Sequence, residues 1–176
     1  MDWRSIPAFA LAALFTFVFH EGAHFAMGEA LGYDMWVRLN SAGLAGGAYA
    51  SALHENLVSA AGPAATLLQG VVAFAAAMAW RSRTAFAFLF MALVIRFLAA
   101  GVSLFNPNDE ARIGEWLGVG PWALFAAVIS FLLLLAMVAG RRLDLGWKSY
   151  IFSWLVSSHL VAAVVFGEAY LPALGL

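Results

Sequence analysis

Cysteine is absent from this 176-residue chain, and charged side chains are scarce, at 11% of the residues. Without cysteine, disulfides and thiolate metal sites are excluded, so any bound metal must use His, Asp or Glu. The chain is 64% hydrophobic, which is more than a water-soluble domain of this size needs. Its formal net charge of −1 argues against a nucleic-acid partner. Composition therefore predicts an all-α polytopic membrane protein.

Long apolar runs separated by short polar segments predict about five transmembrane helices. They cover residues 6–31, 57–80, 84–105, 121–140 and 150–171. No internal repeat, low-complexity tract or soluble domain interrupts them. We therefore expect a single membrane domain over residues 1–176.

Residues 32–55 are too polar to span the bilayer as a helix, because they include Asp34, Arg38, Asn40 and four glycines. Two interpretations stay open for this segment. The first, which the sequence slightly favours, is a plain surface loop. The second is a hairpin that dips into the bundle, where protein or water must cover its backbone. The exposed edge of such a hairpin could pair with an extended peptide.

His20, Glu21 and His24 form an H-E-x-x-H pattern inside the first predicted helix. Residues four apart lie on one helical face, so the two imidazoles point at one place and suit one Zn²⁺ ion. Glu21 could then take a proton from a water that the ion activates. Such polar side chains are costly in a membrane helix unless they have partners or a function. A polar patch that only hydrogen-bonds within the bundle is the alternative interpretation.

Two histidines do not complete a catalytic zinc site, which usually has three protein ligands. The first helix runs from the amino-terminal face, called face A, toward the opposite face, called face B, and its histidines lie toward face B. The third helix also runs from A to B and delivers residues 106–110 to the same face. The candidate third ligands are Asp109, Glu110 and Glu115, followed by His54 and His159.

Three further polar side chains lie in the later helices. Arg96 lies in the middle of the third, where we expect it to pair with a carboxylate or carbonyls rather than act as a functional cation. His159 is interpreted as a packing residue, and Glu168 as a residue that reaches the interface. A small transporter with these three side chains along its path ranks last, because the chain lacks paired interrupted helices.

These motifs together resemble the site-2 protease family of intramembrane zinc metalloproteases, over about residues 1–115. The family's H-E-x-x-H is matched by residues 20–24, and its polar membrane hairpin by residues 32–55. Its A-G-P-x-x-N element is matched from Ala61, with Thr66 in place of Asn. Its D-G-x-R-I segment is matched from Asp109, with Glu110 in place of Gly. Residues 121–171 would be two additional transmembrane helices.

The resemblance implies a minimal zinc metalloendopeptidase without accessory domains. His20, His24 and Asp109 would hold Zn²⁺, with Glu110 an alternative third ligand, and Glu21 would serve as general base and then general acid. The partner would be a transmembrane protein substrate, cleaved in or near its membrane segment. The candidate substrate-binding residues are Asn40, Gly46, Gly47 and Asn106. A catalytically silent metal-binding or helix-clamping membrane protein of the same fold is the alternative.

The distribution of basic residues and the family resemblance predict opposite orientations in the membrane. Six basic residues fall on face A, whereas Arg38 and Arg112 fall on face B. The positive-inside rule then makes face A cytoplasmic. The resemblance implies the reverse, because the family's site usually opens toward the cytosol. We expect the membrane to be the inner membrane of a prokaryote, and the sequence leaves the orientation within it open.

Overall fold

A computed structural model of the protein describes residues 1–168, and within them the chain folds into helices and one short hairpin. The elements are α1 (Ile6–Ala30), β1 (Met35–Val37), β2 (Ala42–Leu44), α2 (Ala52–Trp80), α3 (Arg83–Val102), α4 (Asp109–Trp116), α5 (Ala123–Arg142) and α6 (Trp147–Gly167). The helices α1, α2, α3, α5 and α6 are long and apolar enough to span a membrane. The predicted fold class, an all-α polytopic membrane protein, is confirmed.

Local sequence accounts for the limits of α1. A 3₁₀ turn at Trp3–Ser5, capped by the Asp2 side chain, leads into it, and a proline lies in its first turn. At the other end Gly32 takes a left-handed conformation with φ of +86°, which glycine adopts without steric cost. The Tyr33 N–H then donates to the Gly28 carbonyl, which closes the helix end at 3.1 Å.

The second span begins five residues earlier than the sequence predicts. Ser51 is its N-cap, with the side chain accepting from the His54 N–H, and Glu55 lies in the first turn. The sequence-based start at residue 57 would place Pro63 in the first turns of this helix, whereas the structure places it in the interior of α2. The earlier start matters because it brings His54 Nδ1 within 2.8 Å of the Tyr33 hydroxyl, between α1 and β1.

Helix α3 is the centre of the bundle. Apart from Phe88, every residue from Phe86 to Arg96 is buried, and the helix packs against α1, α2, α5 and α6. Its N-cap is Ser82, whose side chain accepts from the Ala85 N–H. The outermost spans, α5 and α6, leave large apolar side chains exposed, as helices that face lipid do. The central position of α3 fixes the segment that follows it against the first two helices.

The polar segment after α1 forms a hairpin, so the plain-loop interpretation is wrong. β1 and β2 pair antiparallel, with Met35 opposite Leu44 and Val37 opposite Ala42. The Met35 N–H donates to the Glu29 carboxylate at 2.9 Å, and the Met35 side chain packs so close to Gly28 that a Cβ there would collide with it. These contacts fix the hairpin to the end of α1 at face B.

A short amphipathic helix, α4, follows the break that Asn106 and Pro107 make after α3. The spans predicted from the sequence leave residues 106–120 without a helix. Helix α4 packs against α2 and α5, which sets the direction of the acidic residues in its first turn. The last predicted span was to end at residue 171, and its final residues lie outside those that the structure describes.

Candidate metal centre

Three side chains from two distant parts of the chain converge near face B. His20 and His24 come from α1, and Asp109 is the first residue of α4. Their Nε2, Nε2 and Oδ2 atoms form a nearly equilateral triangle with sides of 3.1, 3.3 and 3.4 Å. Among the residues that the structure describes, this group is the one that could hold a metal ion.

Each imidazole is oriented by a partner on α2. His24 Nδ1–H donates to the Val58 carbonyl at 2.7 Å. His20 Nδ1 lies 3.1 Å from Thr66 Oγ1, and because that hydroxyl donates to the Gly62 carbonyl, it accepts from the imidazole. Both rings therefore carry their proton on Nδ1 and turn the Nε2 lone pair toward the triangle.

The carboxylate of Asp109 is oriented from the opposite side. Arg112, one turn later in α4, donates to Asp109 Oδ1 at 2.8 Å and to Ser59 Oγ at 3.1 Å, which leaves Oδ2 to face the imidazoles. The ion pair with the Arg112 guanidinium favours the ionised form of the Asp109 carboxyl. Asp109 is thus an anion with one oxygen free for a cation.

The triangle fits a tetrahedral metal ion. Ligand atoms about 2.0 Å from a tetrahedrally coordinated ion lie about 3.3 Å from one another, and the observed sides are 3.1 to 3.4 Å. Two imidazole lone pairs and a carboxylate oxygen would otherwise repel one another in a buried site. A cation between them removes that repulsion, and nitrogen and oxygen donors suit a first-row divalent metal.

Gly62 gives the two imidazoles their room. A Cβ built at this position would collide with His24 Nε2 and with the imidazole of His20. Gly62 lies on the buried face of α2, one turn after Val58 and one turn before Thr66. Absence of a side chain at this position therefore lets α2 approach α1 closely enough to bind both Nδ1 atoms.

Glu21 shares a cavity with the metal-ligand group. It is buried, and it lines a cavity of about 380 Å³ together with His20, His24 and Asp109. The strand β2 forms one wall of this cavity, and Val58 and Ser59 of α2 form another. A carboxylate that adjoins a metal site within one cavity is the arrangement that general acid–base chemistry on a metal-activated water needs.

The predicted substrate-binding residues do not all lie at the cavity. Asn40 lines it, and its side-chain amide donates to the Val165 carbonyl of α6 at 3.4 Å. Gly46 and Gly47 are exposed in the loop after β2 and are not among the lining residues, and neither is Asn106, which is exposed before α4. Sequence reasoning instead missed the wall formed by Ala42–Leu44, because a three-residue strand has too short an alternation to detect.

The alternative third ligands are engaged elsewhere. Glu110 is 2% exposed and accepts from Arg96 Nη1 at 2.9 Å, so the favoured interpretation of Arg96 as one member of a structural ion pair agrees with this contact. His54 is bound to the Tyr33 hydroxyl, and Glu115 is exposed on α4. His159 donates to the Leu155 carbonyl of its own helix on an exposed face.

Among the described residues, Arg96, His159 and Glu168 do not line one common path, as a transporter would need. Arg96 is enclosed in the core with Glu110, whereas His159 faces outward on α6. A second cavity, of about 300 Å³, adjoins the first and is lined by Arg96, Glu110, His20 and Asp109, but not by His159 or Glu168.

Comparison with known proteins does not identify a family for this chain. No protein-family model, no curated protein and no solved structure matches it. The assignment of a function therefore depends on the geometry of the site and on the motifs.

Proposed function

We propose that this protein is an intramembrane zinc metalloprotease of the site-2 type. The observation that carries the proposal is the triangle of His20 Nε2, His24 Nε2 and Asp109 Oδ2, with sides of 3.1 to 3.4 Å, beside the buried carboxylate of Glu21. Five apolar helices support a membrane location, and the inner membrane of a prokaryote is part of the proposal.

In this proposal His20, His24 and Asp109 hold Zn²⁺, and the chain supplies the rest of the chemistry. When bound there, zinc supplies the Lewis acid that makes water nucleophilic near neutral pH. Glu21 would take a proton from the attacking water as its oxygen bonds to the peptide carbonyl carbon. It would then give that proton to the leaving nitrogen, so the C–N bond breaks without expelling an amide anion. Thr66, Val58 and Arg112 keep the ligand atoms oriented throughout.

The proposed substrate is the transmembrane segment of another protein. A helix hides its carbonyl groups in hydrogen bonds, so the segment must unwind before it can be attacked. Within the described residues β2 has one strand neighbour, β1, so its other edge has no strand partner, and its three residues line the cavity. An unwound peptide could add to that edge as a third strand and would then lie beside Glu21.

The deciding experiment uses the purified protein in detergent or liposomes, loaded with zinc, and a transmembrane protein substrate. We expect the Glu21→Gln variant to keep about one zinc per chain by metal analysis and to lose cleavage by about 10²–10⁴-fold. The Glu115→Gln variant is the matched control, because Glu115 is an exposed acid at the same face outside the cavity.

Undiminished cleavage by Glu21→Gln would refute the protease assignment for this site. Stoichiometric zinc in the wild-type protein without cleavage of any membrane substrate would instead support the silent metal-binding or helix-clamping alternative. Loss of zinc from the His24→Ala variant, measured in parallel, shows that the ion occupies the triangle and not an adventitious site.

A further inference from the structure

The two ends of the bundle differ in chemistry, and the metal-ligand group lies near only one of them. Face A contains the turn before α1 and the short connections around Arg81 and Leu145. Face B contains the hairpin and α4. His20 lies about 21 Å along α1 from its face-A end, in the half of the bilayer next to face B.

Face A carries a cluster of exposed cations. Arg81 pairs with Asp144 at 2.7 Å, which joins the α2–α3 turn to the α5–α6 turn. The other five make no ion pair with another described residue. The whole set is Arg4, Arg81, Arg83, Arg141, Arg142 and Lys148, and every member is exposed.

The two arginines of face B are used within the fold. Arg112 binds Asp109 and Ser59, so it is part of the support for the metal-ligand group. Arg38 lies over the Trp36 ring at 5.5 Å, inside the hairpin. Arg4 and Lys148 on face A make the same kind of contact with Trp3 and Trp147, at 5.5 and 5.7 Å. The asymmetry between the faces is therefore that of six basic residues against two.

We propose that face A is cytoplasmic and that the cavity opens on the opposite, non-cytoplasmic side of the membrane. The connections at both faces are short, which is the condition under which Lys and Arg decide orientation, while acidic residues contribute little. The anionic lipids of the cytoplasmic leaflet and the membrane potential both hold exposed cations on that side. The family resemblance in the sequence predicts the reverse orientation, and these charges oppose it.

The orientation specifies a class of substrate, and this step rests on the proposed protease function. The scissile bond would lie in the outer half of a transmembrane segment or just beyond it. The substrates are then membrane proteins whose released fragment leaves on the non-cytoplasmic side. Zinc and water would reach the site from that side as well.

The absence of cysteine makes a direct test simple, because every introduced thiol is unique. Gly46 on face B and Gly146 on face A are both exposed, and a Cβ at either position meets no atom within 4 Å. The Gly46→Cys and Gly146→Cys variants therefore form a matched pair. Each is expressed in bacterial cells, converted to spheroplasts and treated with a membrane-impermeant maleimide, before and after permeabilisation.

We expect Gly46→Cys to be labelled in intact spheroplasts and Gly146→Cys only after permeabilisation. The reverse pattern, or labelling of both thiols in intact spheroplasts, overturns the proposal. Labelling of both in detergent shows that each thiol can react, and a cytosolic thiol protein reports membrane integrity.

The same pair in a Glu21→Gln background separates this inference from the proposed function. Orientation does not depend on turnover, so the labelling pattern must be unchanged there. If the labelling is as expected but the wild-type protein shows no proteolysis, the orientation stands and the protease assignment fails. If the wild-type protein is proteolytic but the labelling is reversed, the protease assignment stands and the orientation fails.

Discussion

Asp109 and Glu110 are adjacent acids in the first turn of α4, and the structure gives them different surroundings. Successive residues of an α-helix point about 100° apart. Asp109 therefore faces the histidines of α1, while Glu110 faces Arg96 of α3. The two carboxylates have the same chemistry. The direction in which each leaves the helix makes Asp109 a metal-ligand candidate and Glu110 one member of a structural ion pair.

The two acids also differ in how completely they are bound. Asp109 Oδ1 accepts from Arg112, and Oδ2 faces the two imidazoles. Glu110 Oε1 accepts from Arg96, whereas Glu110 Oε2 and Arg96 Nε are buried with no partner among the described residues. A guanidinium at 2.9 Å neutralises Glu110, so it competes with a metal cation for that carboxylate.

The largest expected effect tests which acid is the ligand. Four-ligand structural zinc sites bind with about 10–16 kcal/mol, so we expect Asp109→Ala to lose about 3–4 kcal/mol of zinc affinity. That loss corresponds to roughly two to three orders of magnitude. Glu110→Gln keeps the acceptor for Arg96 and should bind zinc like the wild-type protein. Competition against a chromogenic chelator measures both affinities, and equal losses in the two variants would contradict the comparison.

The next effect tests whether the Arg96–Glu110 pair is structural. Arg96→Met leaves the Glu110 carboxylate buried without its cation, which should lower the free energy of unfolding by about 3 kcal/mol. Arg96→Met combined with Glu110→Leu removes both charges and should recover most of that loss. Unfolding in mixed micelles gives the values, and zinc stoichiometry should stay unchanged in the double variant. A double variant as unstable as the sum of both single changes would argue against a structural pair.

Much of the fold and part of the site follow from the sequence. Five apolar runs predict five spans, and the parity of those spans alone places His20, His24 and Asp109 at one face of the membrane. Gly32 marks the end of α1, where a φ of +86° favours glycine. These features depend on neighbouring residues or on the number of spans between two segments. They can therefore be predicted from a single sequence.

Other features depend on contacts between distant residues and were not predictable. The hairpin is held by Met35 against Gly28 and by the Glu29 carboxylate, none of which has a pattern of its own. Which of Asp109 and Glu110 faces the histidines depends on the orientation of α4, and the packing of α4 against α2 and α5 sets that orientation. In the sequence Thr66 is only a departure from the family's Asn, yet in the fold it is the acceptor for His20.

The smallest of the three effects concerns that hydroxyl. Thr66→Val keeps the shape of the side chain and removes the acceptor for His20 Nδ1–H, which lies 3.1 Å away. The proton can then move to Nε2, the atom that must be bare to bind an ion. Loss of such an orienting partner typically weakens metal binding by about 10–100-fold, so Thr66→Val should lose about 1.4–2.7 kcal/mol of zinc affinity.

Thr66→Ser is the matched control, because it retains the hydroxyl and should bind zinc as the wild-type protein does. If Thr66→Val bound as tightly as Thr66→Ser, His20 would be oriented by helix packing alone. In that case the hydrogen bond from His20 to Thr66 would contribute nothing measurable to metal binding.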